Sequence, residues 1–141
     1  MPRVGAFVLA VSLCLSIPVS ACSLGRLQHD VDFEPLSTAL GVDEAKALAE
    51  WFIDWRDGLG VEYAIVVAKS VRGEPRSLDL ATLRMRGIAR ILDALNTDNV
   101  KITYADSFMS SGIRHGLGTV TIAVQPGCAK TDTCCPQPPA K

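Results

Sequence analysis

The sequence predicts an α+β sandwich, with two helices packed on one face of a small mixed sheet. Three observations lead there. Two segments place apolar residues at helical spacing. Short β-branched runs stand before, between and after them, and glycine or proline separates one element from the next. The order reads β-α-β-α-β-β, and each helix has a single apolar face, so both helices cover one side of one sheet. The chain has 141 residues, room for one domain and little more. Its formal charge is −1, without the basic excess that neutralises a phosphate backbone, so nucleic acid is not an expected partner.

The chain opens with Arg3, an almost wholly apolar or small stretch over residues 4–17, and then Pro18-Val19-Ser20-Ala21-Cys22. A positive start, a short apolar centre and small residues before a cut are the marks of a secretory signal. The stretch is shorter than the ~18–20 residues of a membrane-spanning helix, and Pro18 would interrupt one. Val19-Ser20-Ala21-Cys22 resembles the lipobox of bacterial lipoproteins, whereas Cys14 follows Leu13, where a small residue is required. The resemblance implies removal of residues 1–21, a diacylglycerol thioether on Cys22 and an acylated new N-terminus. Two or more chains make such an attachment stable, since one chain at about 0.8 kcal/mol per buried methylene holds only marginally. The alternative is an ordinary secreted protein with Cys22 free or in a disulfide. Ser23 stands where some proteobacteria use Asp for inner-membrane retention, which points to the outer membrane.

Residues 22–30 read as a polar tether and residues 31–125 as the domain. Val31-Asp32-Phe33 suggests a brief strand ended by Glu34-Pro35. A helix begins near Val42, with Ala45, Leu48, Ala49, Phe52 and Trp55 on one stripe. Asp43 and Glu44 favour its first turn, and Gly58 and Gly60 stop it. Residues 61–68 are apolar and β-branched, a buried strand. Gly73-Glu74-Pro75 marks a loop, and a second helix is expected from about Leu78 to Leu95, with Ser77 as N-cap and Asn96 closing it. Leu80, Ile88, Ile91, Leu92 and Leu95 face one way. Residues 100–104 form a strand, 106–116 a Ser/Gly-bearing loop, 119–124 an alternating strand, and 126–141 a Cys- and Pro-rich tail. At about 100° per residue from Ile88, Arg84 falls near −40°, inside the apolar stripe. A guanidinium there must be paired, reach solvent or meet an anion; the structural reading is that it snorkels to solvent or pairs with a nearby acid. Gly87 also lies on the packing side, which suggests a close approach of helix to sheet.

Two segments resemble the OmpA-like domain, the module shared by OmpA, Pal and MotB proteins. Leu80-Ala81-Thr82-Leu83-Arg84-Met85-Arg86-Gly87-Ile88 is similar to the family's Leu-Ser-x-x-Arg-Ala-x-x-Val. Leu40-Gly41-Val42-Asp43-Glu44-Ala45-Lys46-Ala47-Leu48 is similar to its Leu-Thr-Pro-Glu-Ala-x-x-x-Leu. The resemblance runs from about Val31 to Val124. It implies peptidoglycan as a ligand, with Arg84 and an acid after the second strand gripping the charged groups of a diaminopimelate. Ser70 stands where the family has that Asp, and Ser77 where it has Asn. With half of the charge pair replaced, the expected partner shifts to another envelope protein, as an accessory to a surface or secretion system, and peptidoglycan becomes the alternative.

Cys128, Cys134 and Cys135 lie in a chain expected to reach an oxidising compartment. Cys128 can close a small loop with Cys134 or Cys135, whereas a bond between the adjacent pair would be strained. Metal ligation needs about four suitable ligands, and no His lies near the tail, so no metal and no cofactor is expected. His29 falls in the tether and His115 in a loop with Ser110 and Ser111. A Ser/His hydrolase or thiol enzyme is the reading from another class, and these scattered residues favour a non-catalytic protein over it.

Overall fold

A computed structural model describes residues 26–110, 112, 115–131 and 133–134. The signal segment, Cys22, Ser23, Ser111 and Cys135 lie outside the described residues. The elements are β1 Gln28–Asp32, α1 Val42–Asp57, β2 Val61–Val71, α2 Pro75–Leu95, β3 Lys101–Met109 and β4 Thr119–Pro126, followed by a 3-10 turn at Gly127–Lys130. They make a four-stranded sheet in the order β1-β4-β2-β3. β3 pairs parallel to β2, and β4 runs antiparallel to both neighbours. The molecule is the α+β sandwich on a mixed sheet that the element order predicts.

Alternation builds the core. Ala64, Val66 and Ala68 of β2 and Val120, Ile122 and Val124 of β4 are buried, while the residues between them are half-exposed. A strand sends successive side chains to opposite faces, so one face is covered and the other is open. Leu48 and Phe52 of α1 and Ala81, Ile88 and Leu92 of α2 close over the buried set. Among the described residues, no helix is long and apolar enough to cross a membrane.

Several boundaries and one packing expectation differ from the sequence reading, each for a physical reason. β1 starts at Gln28, so residues 28–30, read as tether, belong to the sheet. Gln28, Asp30 and Asp32 face outward, where the hydroxyls of Thr121 and Thr119 donate to Asp30 and Asp32 at 2.6 Å, while His29 faces α1. α2 starts at Pro75, with Glu74 as N-cap, because proline at the first helical position lacks an N–H that would be unpaired anyway. Ser77 is therefore inside the helix, and its Oγ accepts the Val71 N–H at 2.9 Å instead of capping. β3 continues to Met109, since the long β2 offers partners through Val71. Gly87 meets only Thr38 O, and a Cβ there would sit 3.9 Å away. That is ordinary contact, so no close helix–sheet approach requires the glycine.

Asn96 ends α2 and binds the chain that turns into β3. Its Oδ1 accepts from Val100 N–H at 2.7 Å and its Nδ2 donates to Val100 O at 2.9 Å.

Candidate functional site

Arg84 projects from the buried side of α2 and is 3 % exposed. Its partners are backbone carbonyls from two loops, not the nearby acid expected. Nε donates to Ser37 O at 2.9 Å, Nη1 to Leu117 O at 2.8 Å and Nη2 to Glu34 O at 3.2 Å. The guanidinium lies 5.3 Å from the Phe33 ring centroid, within cation–π range. Burial lowers its pKa from the ordinary arginine value, yet an arginine keeps its charge in any protein. Three carbonyl dipoles thus hold a full positive charge, and in doing so they staple two adjoining loops at one end of the sheet, after β1 and before β4, to α2.

A cavity of about 580 Å³ opens beside this arginine. Its polar lining is Lys69, Arg76, Arg84, Ser77 and Glu74, and its apolar lining includes Phe33, Leu36 and Leu80. Among the described residues, three cations therefore line the cavity with one carboxylate. Lys69 has no hydrogen bond or ion pair with any described residue. Gly116 makes room for it: a Cβ there would sit 2.9 Å from Lys69 Nζ, and the backbone φ of +76° favours glycine as well.

Ser70 is fully buried on the helix-side face of β2, and it does not line the cavity. Its Oγ donates to Asp106 Oδ2 at 2.7 Å. Asp106 stands on β3 opposite Ala68, and its Oδ1 is buried with no hydrogen-bond partner among the described residues. The structure thus separates the two residues singled out for ligand binding: Arg84 borders the cavity and Ser70 is occupied elsewhere. Lys69 went unnoticed in the sequence, although a lysine inside the apolar run Val66-Val67-Ala68-Lys69 is a legible signal. The carbonyls that hold Arg84 carry no signature in residue identity.

The remaining candidates lie apart from this cavity. Cys128 and Cys134 form a disulfide after β4, where Lys130 pairs with Glu62 at the start of β2. His115 is exposed, and no hydrogen bond joins it to Ser110 or any other described residue. Among the described residues, no group of three His, Cys, Asp or Glu side chains converges to hold a metal ion. His29 lies in the sheet, stacked on Trp51 with ring centroids 5.2 Å apart and planes inclined at 28°.

No protein-family model matches the chain, and no curated protein matches it in sequence. Solved structures do. The chain is similar to the OmpA-like domain of FopA1 from Francisella tularensis subsp. tularensis SCHU S4, at 16% identity and a TM-score of 0.53, over 71% of this chain and 75% of that one. It is also similar to an outer membrane protein from Borrelia burgdorferi B31, at 13% identity and a TM-score of 0.45, over 69% of this chain and 85% of that one. The fold is OmpA-like.

Proposed function

We propose that this chain is a lipid-anchored protein of the cell envelope, held in the outer membrane through Cys22 with its domain facing the periplasm. The domain docks, without catalysis, onto another envelope protein as an accessory to a surface or secretion system. The signal-like start and the lipobox-like Val19-Ser20-Ala21-Cys22 support the anchor, and the OmpA-like fold supports an envelope setting. One observation carries the choice of partner. The cavity beside Arg84 holds Lys69 and Arg76 with a single carboxylate, while Ser70, in place of the family's acid, is buried against Asp106. Such a cavity suits a carboxylate presented by a protein: Lys69 is half-buried and Arg76 exposed, so both can form charge-assisted hydrogen bonds that strengthen as a docked partner excludes water.

Glu74 supports a second reading. It lines the same cavity and, although it already has a partner within the protein, it is a carboxylate for which an ammonium group of peptidoglycan would compete. The two readings separate in one experiment. The intact lipoprotein is mixed with purified sacculi and sedimented, and in parallel a photo-crosslinker at the exposed Leu36 is activated in whole cells. Docking on a protein predicts a supernatant fraction with sacculi and a discrete protein adduct that Lys69→Glu abolishes. Firm sedimentation that Arg84→Lys or Glu74→Gln removes would reverse the assignment in favour of peptidoglycan.

A further inference from the structure

A second cleft lies at the other end of the sheet, where the chain enters the fold. It has a volume of about 400 Å³ and is lined by Arg26, His29, Glu50, Trp51, Asp54 and Trp55, with Leu59 on its lining as well. The indole N–H groups of Trp51 and Trp55 both donate to the carbonyl of Arg26, at 2.7 and 2.9 Å. The two rings are thereby tied to the residue at which the described chain begins. Leu59, in the turn between α1 and β2, is 47% exposed. His29 Nε2 is buried and has no hydrogen-bond partner among the described residues, so in either tautomer it lacks a polar neighbour.

The chain outside the structure decides what this cleft faces. Only Ser23, Leu24 and Gly25 separate Cys22 from Arg26. Four residue steps at ~3.3–3.6 Å reach about 14 Å at full extension. Each headgroup layer of a bilayer is roughly 5–7 Å deep. A lipid on Cys22 therefore keeps Arg26 within the headgroup layer or no more than about 9 Å beyond it. Tryptophan suits that depth, because its ring is apolar and its N–H is polar.

We infer that this cleft is a membrane-facing surface that seats zwitterionic phospholipid headgroups of the bilayer anchoring the chain. Arg26 meets the phosphate, Glu50 and Asp54 meet the ammonium, and Trp55 with Leu59 lies against the glycerol level. A surface with both signs of charge disfavours a purely anionic lipid. The inference rests on acylation of Cys22.

Trp51 and Trp55 are the only tryptophans of the chain, so intrinsic fluorescence reads this cleft directly. The mature protein is extracted from native membranes and reconstituted into phosphatidylethanolamine vesicles that contain lipids brominated near the headgroup end of the acyl chain. Emission should fall by roughly half relative to unbrominated vesicles, as for rings at interfacial depth. Leu59→Asp, at an exposed position, should at least halve that quenching, and replacing the ethanolamine by phosphatidylglycerol headgroups should weaken it. Mass spectrometry of the Cys22 peptide is read on the same sample. An acylated chain with unquenched tryptophans overturns this inference and leaves the anchor standing, and quenching indifferent to Leu59→Asp or to headgroup overturns it too. A Cys22 peptide without acyl mass overturns both.

Discussion

A guanidinium taken out of water loses several kcal/mol of hydration unless its N–H groups find acceptors. Arg84 finds three, all backbone carbonyls of two loops. Arg84→Ala leaves those carbonyls unpaired and a void under Phe33, and should lower unfolding stability by about 3 kcal/mol, read from the urea midpoint at unchanged slope. Arg84→Lys keeps the charge but can serve fewer carbonyls, so it should fall between the two. His29 makes a pH-dependent contribution. Burial lowers its pKa from the ordinary 6.5, against the opposing pull of Glu44 and Asp30. Below pH 6.5 the unfolded chain then binds more protons than the folded one, so stability is full above that pH and falls as the solution is acidified, until the folded pKa is passed. Thermal melts from neutral toward acid should show this slope in the native chain and a shallower one in His29→Phe, which keeps a ring against Trp51. The position of Arg84 inside the apolar stripe was legible from angular spacing alone. Its partners were not, because a carbonyl belongs to every residue.

At the level of elements, what could be read depended on how far each segment's own pattern determines it. α1 declares itself through Leu48, Phe52 and Trp55 and stops at Gly58, as the sequence indicates. The start of α2 was hidden because Ser77-Leu78-Asp79 imitates a capped first turn, while the true first position is taken by Pro75. Ser77 has a different task, accepting the last backbone N–H of β2. Ser77→Ala should cost about 1 kcal/mol without shortening the helix, measurable as a lower urea midpoint with unchanged helical circular dichroism. The second half of β3 was also hidden. Asp106-Ser107-Phe108 has no alternating pattern, and only the length of its neighbour β2 draws it into the sheet. Ser70 repeats the lesson for the site: its identity shows that an acid is missing, but only the sheet register reveals Asp106 beside it.

For the molecule as a whole, the disulfide is a local fastening. Cys128 and Cys134 are six residues apart and lie beyond the last strand, so the bond links no two elements of the core. Reduction should lower stability by at most about 2 kcal/mol and leave the fold cooperative, which melts with and without reductant would check. The direction of the strands matters more. β1 and β2 are each antiparallel to β4, so they run the same way: both start beside the tryptophan cleft and end beside the Arg84 cavity. From Val61 to Lys69, at ~3.3 Å per residue, is roughly 26 Å. Under the proposed anchoring the sheet would act as a mast, footed near the mooring and carrying its cationic socket at the far end. With the proposed lipid on Cys22, a partner of the proposed kind would have to offer its acidic group at a set altitude above the bilayer, and lengthening the mooring between residues 22 and 26 would raise that altitude without touching the socket.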